Sequence, residues 1–292
     1  MAELHSTMKP LVTADCDPTL NDSQVLEFCR NGYLMFESVV PEEINRNVLE
    51  VIETDGYGAL HQKTWFVEHV LLNRQVAGAI RALLGKDFGL PIGVYNHRAE
   101  CPQSAQFWHR DGGSRYGPET NHLQVFYYPQ DTPQALGPTD VLPGSHFLFQ
   151  LQSWMGHYSG IASSVTTAAP AGSIFVTAYP IWHRRGKSTA HAIRHMLKYC
   201  YWRTAPPQRD WIIESDFDFA MAPYSLEGLP REQFRDWYDT ATMLLWLCGD
   251  ADKITELLGC EDWPMGYPPP QVGEQIYPPK GFYRFSRSTE MK

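Results

Sequence analysis

Four residues of this chain have types and spacings that suit metal chemistry. His109 and Asp111 stand two residues apart, His183 lies far downstream, and Arg194 follows it by eleven residues. Side chains alternate across a strand with period two, so an imidazole and a carboxylate at i and i+2 on extended backbone project to one side and can share an ion. A second imidazole from a distant strand completes two histidines and one carboxylate on one face of the metal, an arrangement that leaves the other positions of a non-haem Fe(II) open. A keto acid chelating such an ion needs its far carboxylate held by a cation, and the planar fork of arginine matches a carboxylate better than lysine does. An HxD triplet alone is a weak signal, because such triplets arise by chance. Its weight comes from the elements around it.

Gln106-Phe107-Trp108-His109-Arg110-Asp111-Gly112-Gly113 reads as a short strand running into a glycine turn, which would set the pair at a strand end facing a cavity mouth. Pro170-Ala171-Gly172-Ser173-Ile174-Phe175-Val176 is a turn followed by a strand, and Trp182-His183-Arg184-Arg185-Gly186 comes soon after. Eleven histidines compete for the third ligand position. His146 ends a Pro-Gly-Ser-His turn and suits a loop hydrogen bond, His191 and His195 flank Arg194 too closely, and His157 lies in a glycine-containing loop with no partner nearby. His183 is the choice: it ends a strand, a polar turn follows, and Arg194 opens the next strand, so both fall at the same end of neighbouring strands.

The elements expected to carry these residues are helical first and strand-rich afterwards. Asp22 or Ser23 can cap a helix through Arg30 that Asn31-Gly32 ends, Pro41-Glu42-Glu43 starts a second toward Ile52, and His69 to Leu84 has helical apolar spacing ending at Gly85. Short strands are expected over 93–98, 105–110, 123–128, 163–167, 173–177 and 194–203. Glycine and proline turns between them fit a mainly β jelly roll backed by helices. Residues 20–90 form the helical N-terminal part of one domain spanning 1–292, 91–205 its jelly-roll core, and 206–292 a helical, proline-rich extension. In that extension Glu232 to Leu247 has an apolar face, Ala251 to Leu258 suggests a further helix, and the Tyr-Pro-Pro runs near 267 and 277 read as an extended strap. Packing on the sheet is the plain role for those helices; a lid or a homodimer contact is the functional one.

In order and spacing the segments from Gly93 to about Arg203, with Gly137-Pro138-Thr139-Asp140 and Pro143-Gly144-Ser145-His146 between them, resemble the phytanoyl-CoA dioxygenase family of Fe(II)/2-oxoglutarate oxygenases. The opening Val25 to Phe36 followed by Val40-Pro41-Glu42-Glu43 is similar to that family's first helix and strand. The resemblance implies a double-stranded β-helix (cupin-like) core, with His109, Asp111 and His183 ligating iron and Arg194 pairing with the C5 carboxylate of 2-oxoglutarate. Asn96 or Arg98, and Thr139, are candidates for the C1 end. Relatives often carry Asn and Ser between the distal histidine and the arginine; here only Ser188 keeps that habit. The implied chemistry uses O2 and 2-oxoglutarate, releases succinate and CO2, and hydroxylates a small molecule by default, with a tailoring step in specialised metabolism as the expected setting. The carboxylate at Asp111 argues against halogenation, which needs a small residue there. A catalytically silent metal-binding or sensor jelly roll, or a zinc hydrolase, are the alternatives, and neither has use for Arg194.

Composition narrows the setting. The chain has 292 residues, 43% of them hydrophobic, enough for one large core. Its formal charge of −9 disfavours nucleic acid as a partner. Six scattered cysteines form no close-spaced pair, which points to a reducing, cytoplasmic compartment. No apolar run approaches the length of a membrane span, and none opens the chain as a signal peptide would. Aromatic residues near the motifs (Trp108, Tyr116, Tyr127, Tyr179, Trp182, Trp202, Trp211) suit an apolar pocket, whereas Arg110, Arg115 and Arg184 suit an acid or phosphate.

Overall fold

The computed structural model describes residues 12–113, 115–148, 155–218 and 230–253, with no side chain described for 230–237. Its framework is antiparallel. The larger sheet runs β1 (Thr13–Ala14), β3 (Phe88–Gly89), β12 (Leu197–Trp202), β6 (His122–Tyr128), β9 (Ser173–Ala178), β2 (Tyr33–Phe36), with β4 (Tyr95–Asn96) also pairing with β12. The smaller runs β10 (His183–Arg185), β7 (Thr139–Val141), β8 (Val165–Thr166), and β11 (Ile193–Arg194) pairs separately with β5 (Ala99–Glu100). The fold is a jelly roll with flanking helices.

Alternation gives the central strands two unlike faces. Leu123, Val125 and Tyr127 of β6, Ile174, Val176 and Ala178 of β9, and Leu197, Tyr199 and Tyr201 of β12 belong to one apolar core with the helices. In register with one another, Gln124, Phe126 and Tyr128, Thr177, Phe175 and Ser173, and Lys198 and Cys200 occupy the opposite, inner face. There Phe126, Tyr128, Phe175, Ala169 and Met196 make a smaller cluster, in which Phe126 and Phe175 stack at 4.6 Å.

The helix layer comprises α1 (Asp22–Asn31), α2 (Glu42–Thr54), a short turn α3 (Thr64–Phe66), α4 (Arg74–Leu84) and α5 (Pro230–Cys248). Asn21, rather than Asp22 or Ser23, caps α1: its side chain accepts from Gln24 N while the Gln24 side chain accepts from Asn21 N. Asp22 is instead fully buried, accepting from Arg209, Trp211 and the Glu214 amide, which ties the segment after β12 to the start of α1. Gly32 ends α1 at φ 76°, and a Cβ there would meet His146 Nδ1 at 2.4 Å, so glycine satisfies both the left-handed backbone and the close ring. The expected helix over 69–84 is interrupted, because Asn73 accepts from Gln75 N and Val76 N and so starts α4 afresh.

Two strand expectations are corrected. The segment 105–110 is not a continuous strand: only His109 bridges to His183, and Gln106 answers Arg185 N with its side chain, breaking the ladder. The run 194–203 divides at His195-Met196, where the chain leaves β5 for β6. Helix α5 packs along α1, with Ala241, Met243, Leu244, Leu245 and Leu247 buried within this chain, so its described part is a wall of the helix layer. Ala251–Lys253 is a 3-10 turn; the remainder of the expected second helix and the proline-rich strap lie outside the described residues, as does any lid or dimer contact they would make. Among the described residues no helix is long and apolar enough to cross a membrane.

Candidate metal centre

His109, Asp111 and His183 converge, with one potential ligand atom from each all lying within 4.8 Å of one another. His109 and His183 exchange backbone hydrogen bonds of 3.0 Å as an antiparallel bridge, which sets their imidazoles 4.5 Å apart on one side. His183 opens β10 rather than ending a strand. Asp111 follows in the turn, held there in part by Tyr179, whose hydroxyl donates to Gly112 O at 3.1 Å.

Each histidine is oriented by its own backbone. His109 Nδ1 lies 2.9 Å from Phe107 O and His183 Nδ1 lies 3.1 Å from Ile181 O, so a proton on Nδ1 donates to a carbonyl and leaves Nε2 as the free lone pair. His183 Nε2 sits 3.9 Å from Asp111 Oδ1. Burial first, then His109, pushes the His183 pKa down, so at neutral pH the ring is in the uncharged form that a metal requires. Burial alone would raise the Asp111 carboxyl; His183, Lys198 and a hydrogen bond from Gln124 outweigh it and hold the group below its usual range. Since His183 is neutral at pH 7, Lys198 is the standing cation. Its ammonium and the Gln124 amide both bind Oδ2, leaving Oδ1 toward the histidines.

The back of the histidine pair is braced. In the antiparallel bridge Trp108 falls opposite Arg184 and Arg110 opposite Trp182. Arg184 lies over the Trp108 ring at 4.6 Å and Arg110 over the Trp182 ring at 5.0 Å. Arg184 also donates to Asp140 Oδ2 (3.0 Å) and Ser159 O (2.8 Å). These two arginines are therefore engaged in packing behind the ligands, and the two tryptophans, both 0% exposed, face away from the site instead of lining a pocket. Tyr127 likewise turns to the helices, donating to Asn45, and Trp211 to Asp22.

Arg194 is 1% exposed. Its Nη2 donates to Thr139 Oγ1 at 3.2 Å, its guanidinium lies 5.5 Å from the Tyr128 ring centre, and its Nε is buried without a partner. Inner positions of β6 order the site: Gln124 touches Asp111, the Phe126 ring lies 5.5 Å from that of His183, and Tyr128 backs Arg194. Phe126 and Tyr128 are two residues, about 7 Å, apart along the strand, so Arg194 lies one inner position beyond the level of His183 and two beyond that of Asp111.

The structure groups the co-substrate candidates differently from the sequence reading. Thr139 stands with Arg194, accepting from its Nη2. Asn96 pairs with Leu197 across β4 and β12 and shares its helix-side face, where Nδ2 meets His195 Nδ1 at 2.9 Å. Arg98 goes to the surface and pairs with Glu100 at 2.6 Å. The residue between them, His97, falls on the opposite face from Asn96 by alternation and is solvent-exposed, and partial desolvation with the neighbouring Lys198 pushes its imidazole down. Gln124, Lys198 and His97 were missed in the sequence. The available signal was a polar residue between two apolar ones in otherwise apolar strands, as in Leu123-Gln124-Val125 and Leu197-Lys198-Tyr199.

No family model matches the chain, and no curated protein matches it. Its fold is similar to solved structures. HygX from Streptomyces hygroscopicus in its apo form is 16% identical with a TM-score of 0.53, covering 64% of this chain and 88% of that one. HygX with nickel and 2-oxoglutarate bound gives 15% and 0.54 over the same shares. The non-haem alpha ketoglutarate dependent carbocyclase SnoK from nogalamycin biosynthesis gives 16% and 0.52, covering 64% and 87%. At such identity the likeness is one of fold.

Proposed function

We propose that the chain is a non-haem Fe(II)- and 2-oxoglutarate-dependent oxygenase that oxidises a small molecule, hydroxylation being the default, while 2-oxoglutarate and O2 yield succinate and CO2. The observation that carries this reading is Arg194: a buried guanidinium with an unpartnered Nε, set against Tyr128 on the same inner face of β6 that carries Phe126 beside His183 and Gln124 beside Asp111. A buried cation left without an anion is costly, and a ligand carboxylate satisfies it. The donor set also fits the metal, since two neutral imidazoles and one carboxylate make the facial triad of non-haem Fe(II).

Bound iron with a chelated keto acid supplies the oxidising power to remove hydrogen from an unactivated C–H bond. The chain's residues do the rest. His109, Asp111 and His183 present three ligands from one side. Arg194 and Thr139 hold the distal carboxylate, and the Phe126, Tyr128 and Phe175 cluster keeps water from the path between. Level with Gln124 the inner positions are Cys200 and Thr177, and beyond it His122 and Trp202 with Tyr179 near the His122 ring, a neutral lining of rings and hydrogen-bonding groups that suits a small metabolite. A tailoring step is the proposed setting; SnoK, of similar fold, is described as a carbocyclase from nogalamycin biosynthesis.

The test is succinate release from 2-oxoglutarate in air, with Fe(II), across a panel of small metabolites. Iron-dependent succinate in the wild type and its loss in Asp111→Ala is the expected result. Folded, iron-loaded protein that forms no succinate, or that is active only as a zinc hydrolase, would contradict the reading.

A further inference from the structure

Lys198 is a lysine where the inner face of β12 would ordinarily carry a neutral residue. Its side chain is 13% exposed, the ammonium lies 5.6 Å from the Phe126 ring centre, and it is paired with Asp111 Oδ2. Lys198 is also the register partner of Phe126. The same phenyl ring is approached by the His183 imidazole, and the next inner position of β6, Tyr128, backs Arg194. A diacid stretched from the metal ligands to Arg194 therefore crosses Phe126 and passes the Lys198 ammonium on its way.

Ammonium is strongly hydrated and costly to enclose against an aromatic wall unless anions answer it. It has three donors, and Asp111 Oδ2 is shared with the Gln124 amide, so one shared oxygen answers the lysine incompletely. Orienting Asp111 does not by itself call for the lysine, since Gln124 already holds that oxygen.

We propose that Lys198 is the second cation of the co-substrate site, answering the metal-proximal carboxylate of a dianionic 2-oxo acid as Arg194 answers the distal one. The proposal rests on the oxygenase reading above and adds to it a preference for 2-oxo acids charged at both ends. Lys198 acts on the co-substrate and not on the metal, because Gln124 keeps Oδ2 held when the lysine is replaced.

The experiment is anaerobic and uses the full chain. Fe(II) affinity is measured first by competition with a chromophoric chelator, and 2-oxoglutarate affinity then by the visible charge-transfer band of the chelated keto acid. Lys198→Met is expected to keep Fe(II) affinity within about threefold and to weaken 2-oxoglutarate at least about tenfold, the loss of one charge-assisted hydrogen bond. Lys198→Arg, which keeps the charge, is expected to recover most of that affinity. Should the Met variant fail to fold, Lys198→Gln carries the same expectation. Wild-type 2-oxoglutarate affinity in the neutral variants, or parallel loss of iron and 2-oxoglutarate, overturns the proposal while leaving the oxygenase reading intact. Absence of the band in iron-loaded wild type overturns both.

Discussion

At one end of the inner face of β6 a carboxylate is crowded with donors; four residues along, an arginine lacks acceptors. Asp111 accepts from both Lys198 and Gln124, with His183 Nε2 3.9 Å away, while Arg194 has Thr139 and a buried, unpartnered Nε. The first end is preorganised within the chain itself and needs no ligand to fix its geometry. The second is incomplete without one. That asymmetry is what a site requires when a metal must be held and a co-substrate must come and go.

Substitutions at the two ends should therefore fail differently. Asp111→Ala removes a ligand: Fe(II) binding and turnover are both expected to collapse, turnover by about a thousandfold or more, and equilibrium dialysis with an activity assay checks both. Arg194→Ala should raise the 2-oxoglutarate requirement about a hundredfold while leaving Fe(II) affinity nearly unchanged; Arg194→Lys restores only part, because it lacks the bidentate fork. Equal loss of iron and co-substrate in Arg194→Ala would break the comparison. Arg184→Met removes the brace behind His109 and His183, and Fe(II) affinity should fall about tenfold with the fold retained by circular dichroism. Thr139→Val is the mildest change, about fivefold in 2-oxoglutarate affinity, read in the same titration.

Acid stability offers a control outside both ends. His146 is fully buried beneath Gly32, and burial pushes its pKa down to about 4. An unfolded histidine titrates near 6.5, so the unfolded chain takes up this proton first. Stability is complete above about pH 6.5 and declines as pH falls toward 4, by about 3 kcal/mol from this group. Urea unfolding of metal-free protein at pH 7 and pH 4.5 measures the loss, and His146→Leu should flatten part of it. A slope unchanged in that variant would assign the acid sensitivity elsewhere.

The sequence made some of this visible and hid the rest for identifiable reasons. His109, Asp111, His183 and Arg194 could be picked out because their residue types and the two-residue spacing of the first pair suit a metal and a keto acid. The failure over 105–110 came from Gln106, whose side chain takes a backbone place in the ladder, an exchange that no hydrophobic pattern records. Asn96 and Arg98 were chosen over His97 because the parity of β4 depends on its register with β12, a long-range fact. Lys198 and Gln124 escaped notice for a similar reason: their meaning comes from strands adjacent in space and more than seventy residues apart in sequence.

The most direct test of the account is the anaerobic addition of Fe(II) and then 2-oxoglutarate to metal-free wild type, His183→Ala and Arg194→Ala. The account predicts a visible charge-transfer band in wild type, none in His183→Ala, and in Arg194→Ala a band that forms only at about a hundredfold higher 2-oxoglutarate. A folded, iron-loaded wild type without the band, or an Arg194→Ala variant titrating like wild type, would contradict it.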